Sequence, residues 1–238
     1  QTICPAGAIA LDSFDQGVIT ELCYGCGRCL PVCPVNIIET ESTFVSVDEV
    51  LKWVEILPIS ALEIHTQEGH LSQFMDTWAK VKPYQEILQL IAISCPLTPT
   101  VIDYLQTINK YISPVEIPLI WQTDGRPMSG DIGSGTTHLT IKYAQQAKKA
   151  NLGGFIQLAG GTNEYTVSKL RQLNLIPAVS GVAYGGKARK IMAEILSQLE
   201  NISHNNRIEE HPKLLYEGVK IASGLVAPLK LIEVLNPR

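Results

Sequence analysis

The chain has 238 residues and a mass of 26.1 kDa, with 45% hydrophobic and 18% charged residues. That is room for one sizeable core, or for a small module and a larger domain. No run of about 18 uncharged apolar residues occurs, which excludes a sequence-evident membrane-spanning helix. The net charge of −4 is unevenly spread. Residues 1–50 set Arg28 alone against Asp12, Asp15, Glu21, Glu39, Glu41, Asp48 and Glu49, so this stretch carries −6 and the remainder +2. Nucleic acid is thereby disfavoured as a partner of the first segment. An acidic face suits the steering of an electron-transfer partner, and it also suits an ordinary solvated surface.

Five of the six cysteines lie before residue 34. Clustering in a chain that shows no secretory signal predicts a metal site in a reducing, cytoplasmic compartment, not a disulfide framework. The chain opens on Gln1 with neither a basic nor an apolar leader, and the expectation is a start that lies further upstream.

The first region, residues 1–45, is marked by Cys, Gly and Pro. CYGCGRCLPVC (23–33), followed by Pro34, spaces four cysteines by two, two and three residues. A C-x2-C-x2-C loop offers three thiolates to one cubane, and small residues at Gly25 and Gly27 let the backbone curl so that N–H groups turn toward sulfur. The fourth cysteine of such a run, followed by proline, reaches to another cluster. Cys23, Cys26 and Cys29 are therefore expected to share one 4Fe-4S cluster, completed by Cys4 of the earlier Cys4-Pro5. CPAGAIAL and CPVNIIET then form a pseudo-twofold pair, each a Cys-Pro leading into a short apolar strand. Cys33 is left to a second cluster whose other ligands are expected upstream of Gln1. A zinc site more often shows paired C-x2-C knuckles with a longer gap.

The second region, residues 46–238, alternates apolar β-type runs with helical patterns. A helix is predicted over Val47 to Leu57, capped by Ser46 ahead of Asp48 and Glu49. Strands follow at 61–65, 90–94, 117–123, 154–159 and 176–181. Helices are expected over 71–81, 100–112, 137–150, 165–173 and 187–200, with a last one over 214–226. Apolar strands alternating with amphipathic helices predict a parallel sheet covered on both faces. The fold class is α/β, a ferredoxin-like two-cluster module followed by a parallel (β/α) domain, with part of a TIM-type barrel preferred over an open sheet because glycine-rich loops follow successive strands.

Three such loops stand out: 121–138, LAGGTNEYT (158–166) and SGVAYGGKARK (180–190). Gly160, Gly161, Gly181, Gly185, Gly186 and Lys187, with Arg189 near, form candidate anion or phosphate loops; tight turns are the competing reading. Cys95, before Pro96, reads as a buried strand-end thiol, with a redox thiol or a ligand near the second cluster as alternatives. Glu63 and His65 share a strand face, and His138 sits at a helix start; structural roles are favoured for all three. Trp53, Trp78 and Trp121 read as core or interface anchors. No Ser–His–Asp pattern, HExxH or P-loop occurs, so no catalytic residue is assigned.

ICPAGAIALDSFDQGVITELCYGCGRCLPVCP, taken with VEILPISALEIHTQEGH, RPMSGDIGSGTTHLTIKYAQQ and PAVSGVAYGGKARKIM, resembles the light-dependent period family of cyanobacteria, iron–sulfur proteins of the circadian clock's input pathway. The resemblance spans nearly the whole chain. It implies a redox sensor that relays light-dependent cellular redox state to clock components, including the input histidine kinase. It also implies a longer N-terminus carrying the missing cysteines. The alternative from the residues is a ferredoxin module fused to a flavin-dependent (β/α)-barrel oxidoreductase, with flavin phosphate on the late loops.

Overall fold

The computed structural model describes residues 3–230, other than 5, 11–16, 24, 26, 28, 42, 126–135 and 203–206. The chain divides into two compact units, Gln1–Val50 and Leu51–Arg238. The first contains a minimal antiparallel hairpin, β1 (Ile9–Ala10) and β2 (Gly17–Val18), with Ile9 opposite Val18. The expected strand after Cys4-Pro5 forms as β1; among the described residues of 35–45 no strand follows Cys33-Pro34.

Helix α1 (Val47–Ile56) begins as its sequence predicts. The Glu49 N–H donates to Ser46 Oγ at 3.2 Å. Asp48 and Glu49 place negative charge at the positive end of the helix dipole. Leu51 and Val54 are its buried residues.

The second unit is built on a five-stranded parallel sheet: β3 (Ala61–His65), β4 (Leu90–Pro96), β5 (Leu119–Asp124), β6 (Phe155–Ala159) and β7 (Gly181–Val182). The strands lie in sequence order, each bonded to the next. Helices α2 (Leu71–Val81), α3 (Val101–Ile112), α4 (Thr136–Lys149) and α5 (Thr166–Gln172) form the crossovers. α6 (Gly186–Ile202) and α7 (Pro212–Lys230) follow, closing a small core of Ile195, Leu199 and Leu214.

Each crossover helix buries a stripe at helical spacing. In α2 it is Phe74, Trp78 and Val81; in α3 it is Val101, Leu105, Ile108 and Ile112. The small residues Ala144 and Ala147 let α4 lie close to the sheet. Gly125 continues that close approach, since a Cβ there would collide with Thr140. Trp121, Ile91, Ile93 and Leu158 are almost wholly buried, each contributing roughly 1.5–3 kcal/mol of transfer free energy or more for the indole.

Right-handed crossovers that always step the same way put α2 to α5 on one face. Ile64, Ile91, Ile93, Leu119, Trp121, Ile156 and Leu158 bury one face; on the alternate positions Ala92, Ser94, Asp124 and Ala159 are buried while Glu63, His65 and Phe155 are exposed. Two predicted strands also start late. Pro118 has no N–H, so it serves β4 only as an acceptor, from Ile91 N at 3.0 Å. Pro177 likewise turns Ile176–Ala178 into a 3-10 turn, and only Gly181–Val182 pairs with β6.

Candidate metal centre

Cys4 sits in a turn closed by Gly7 N to Cys4 O at 3.3 Å. Gly7 takes φ +63°, and the next amide, Ala8 N–H, donates to Cys4 Sγ at 3.2 Å. An N–H aimed at sulfur is the kind of hydrogen bond that supports a metal-bound cysteine. Ile19 N then donates to Ala8 O at 2.8 Å beside the hairpin, returning the chain toward the cysteine run. Cys23 N bonds Ile19 O and Thr20 O, each at 3.1 Å, which starts that run in a turn.

Gly25 and Gly27 both adopt φ +70°, a left-handed conformation that other residues enter at a cost. This is the backbone curl that the spacing demands. Leu30 N to Gly27 O (3.2 Å), Cys33 N to Leu30 O (3.3 Å) and Asn36 N to Cys33 O (3.2 Å) carry the loop onward as successive turns. Backbone N–H groups, first that of Ile37, then those of Ile38, Val35 and Asn36, hold the Cys33 thiol below its ordinary pKa. Those amides favour the thiolate form of Cys33, and the thiol is free of any disulfide.

Cys4, Cys23, Cys29 and Cys33 are all free thiols, and Cys26 lies outside the described residues. Among the described residues no three His, Cys, Asp or Glu side chains are gathered around a metal position. The soft donor set, the N–H to Cys4 sulfur and the two left-handed glycines fit an iron–sulfur group chemically.

The other predicted residues fall elsewhere. Gly160 (φ +56°) and Gly161 (φ +72°) turn the chain after β6, and their carbonyls accept from Thr140 Oγ1 at 2.7 Å and Thr137 Oγ1 at 3.2 Å. Gly181 lies within β7, Gly185 precedes α6 and Gly186 begins it. Lys187 Nζ stands 3.6 Å from Glu164 Oε1. The carboxyl of Glu164 is held below its usual value by its own backbone N–H first, and then by Lys187 and Lys190. The charge of Lys187 thus meets an internal carboxylate. His138 is exposed in the first turn of α4. Trp78 and Trp121 are core residues, whereas Trp53 is 43% exposed.

Cys95 is fully buried, and desolvation pushes its thiol up to about 12. That opposes both a redox role and cluster ligation, each of which needs the thiolate. Glu63 and His65 do come together, with His65 Nδ1 3.3 Å from Glu63 Oε1. Sequence reasoning did not find their partner Gln122, whose Nε2 donates to Glu63 Oε2 at 2.9 Å from 59 positions away.

Residues 1–44 match the family described as the LdpA Fe-S cluster-binding domain, and residues 53–228 match the light dependent period A C-terminal domain. The chain belongs to the light dependent period A family. It is 45% identical over 233 residues to "Light dependent period A" of Synechococcus elongatus, a match covering 96% of this chain and 64% of that protein. The chain thus spans a little under two thirds of the length of the curated relative it matches. No solved structure matches. Within the light dependent period A family the cysteine-bearing segment is the part assigned to iron–sulfur binding, and here that segment holds the N–H to Cys4 sulfur and the left-handed glycines. No helix among the described residues is long and apolar enough to cross a membrane.

Proposed function

We propose that this chain is an iron–sulfur redox sensor acting in light-dependent input to the cyanobacterial clock, in the cytoplasm. The observation that carries the reading is the cysteine segment itself: free thiols on left-handed glycine turns, with an amide directed at Cys4 sulfur, inside a region matched by a cluster-binding family. Its relative's name ties the family to light-dependent period.

In this reading Cys4, Cys23, Cys26 and Cys29 hold one 4Fe-4S cluster in a ferredoxin-like fold, and Cys33 belongs to a second. A bound cluster supplies exchange of one electron at a time. The protein supplies the rest. The Ala8 amide counters negative charge on Cys4 sulfur, and the amides after Cys33 do the same there. The acidic surroundings in residues 1–50 convert a change of one unit charge into a change in the field a partner meets. The proposed partners are the input histidine kinase and other clock proteins. The sequential parallel sheet of the second unit suits part of a (β/α) barrel.

The test is iron and sulfide analysis with EPR on anaerobically purified full-length protein, beside Cys26→Ser. The variant should lose iron and lose redox-dependent binding to the kinase. Equal binding by oxidised, reduced and cluster-free protein would sink the sensor reading, and flavin bands in the visible spectrum would replace it with the oxidoreductase.

A further inference from the structure

Helix α7 is apolar on two sides, and one of them is covered. Leu214 and Ile221 pack with Ile195, Leu199 and Met192 of α6. Gly218 lies on that covered side, where a Cβ would stand 3.1 Å from Met192 Cε. The neighbouring side is bare. Leu215, Tyr216, Val219 and Val226 are all exposed, Tyr216 to 70% and Val219 to 55%. Their spacing of three, four and seven residues puts them in one stripe, with Ala222 and Ser223 exposed between them. Lys213 and Lys220 stand three residues before and four after Tyr216, so they border the stripe, and both are exposed. The far end of the helix is tied down, because Arg171 of α5 donates to the Pro228 carbonyl.

The chain carries a segment of opposite charge that fits this stripe. Residues 35–45, between the cysteine run and α1, form no helix or strand among the described residues. Phe44 is 96% exposed and Ile37 77%, and Val35 and Val45 are exposed beside them. Glu39 and Glu41 are exposed in the middle of the segment. An apolar stripe bordered by lysines thus has its counterpart in an apolar peptide interrupted by carboxylates. The wider charge agrees. Residues 136–230 hold twelve Lys and Arg against six Asp and Glu, whereas residues 1–50 carry −6.

Large apolar side chains left in water on both surfaces favour their union. A lipid surface suits the stripe less well, since anionic headgroups repel the acidic first fifty residues. A stable interface takes about 20–30 residues a side, more than one short segment supplies. Reciprocal use about a two-fold axis meets that need, because each copy then contributes both its segment and its helix. We propose that this chain forms a two-fold homodimer in which residues 35–45 of each copy lie along the α7 stripe of the other.

The test is sedimentation velocity on anaerobically purified full-length protein. A dimer with Kd at or below about 100 µM is expected, weakening as salt is raised because the borders are charged. Val219→Glu and Phe44→Glu should each weaken association tenfold or more. Lys213→Glu/Lys220→Glu should weaken it too, and adding Glu39→Lys/Glu41→Lys to the same chain should restore it. That rescue separates the pairing from α7 packed against α7. All these positions are exposed, and circular dichroism and iron content confirm that each variant is folded. Carbodiimide cross-linking of the wild-type dimer should join a peptide holding Glu39 or Glu41 to one holding Lys213 or Lys220. Full-length protein that stays monomeric up to about 100 µM overturns the proposal. So does a dimer indifferent to Val219→Glu and Phe44→Glu, or one that the exchanged charges fail to restore. Co-sedimentation with anionic vesicles that Val219→Glu abolishes, in place of dimerisation, assigns the stripe to a lipid surface and overturns it as well.

Discussion

The Tyr143 hydroxyl of α4 faces the Cys95 thiol at the end of β4, and neither residue is exposed to solvent. Among the described residues no hydrogen bond of ordinary geometry reaches the hydroxyl, and the Cys95 thiol beside it is only a weak partner. A buried donor left unsatisfied costs about 1–3 kcal/mol, so deleting it removes a penalty along with some packing. Tyr143→Phe is expected to be neutral or to stabilise by up to about 1 kcal/mol, read as an unchanged or higher Tm. A loss above about 1 kcal/mol would mean that the hydroxyl is bonded in solution.

The same pair sets an alkaline limit. Burial raises the Cys95 thiol from 9.0 to about 12 in the folded state, and it raises Tyr143 and Tyr104 in the same direction. A raised folded pKa contributes stability that is complete below the unfolded value and is lost as pH climbs toward the folded one. Cys95 should therefore cost nothing below pH 9, then about 1.4 kcal/mol per pH unit between 9 and 12. Cys95→Val should flatten that part of the stability profile in urea titrations. In native protein at neutral pH, Cys95 should resist iodoacetamide until the chain is unfolded.

Backbone handedness gives a test of the cysteine loop. Gly25 and Gly27 both sit at φ +70°, where an alanine costs on the order of 1 kcal/mol or more. The double variant Gly25→Ala/Gly27→Ala should purify with less iron per chain, while the α/β unit keeps its circular dichroism. Unchanged iron content would show that the loop holds its group without that curl.

Gly154 combines both constraints. It takes φ +66°, and a Cβ there would stand 2.5 Å from the Leu119 carbonyl oxygen at the start of β5. Gly154→Ala should destabilise by roughly 1–3 kcal/mol, measured by thermal unfolding. A wild-type Tm would mean that the turn before β6 rearranges freely.

Lys187 and Glu164 are a partly exposed pair at 3.6 Å. Screening by solvent leaves such a pair about 0–1 kcal/mol, so Lys187→Ala should move stability by less than about 1 kcal/mol. If this loop were an anion site, the same variant would abolish phosphate binding measured by calorimetry.

Local signals were strong where chemistry is local. Ser46 before Asp48 and Glu49 specified the start of α1, and the apolar stripe of 71–81 gave α2 its bounds. The prolines explain the two strands that fell short, because a missing N–H breaks a ladder whatever the apolar content says. The loops at 160–161 and 187 were ambiguous because a glycine reads alike whether it cradles an anion or accepts a threonine's hydrogen bond; Thr137 and Thr140, on α4, supply that bond here.

What the amino-acid order determined by itself was the cysteine spacing, the left-handed positions that only glycine fills cheaply, and the alternation of strands and helices. These depend on neighbours within a few residues, or on side-chain type alone. Tertiary structure decided that the strands add in sequence order, so that crossovers of one hand crowd onto one face and leave Glu63, His65, Gln122 and Gln157 on the other. It also decided that Cys95 is sealed beneath α4 rather than offered to a cluster. Strand order and face are set by which long-range pairings bury the most apolar surface, and no short window of sequence contains that competition.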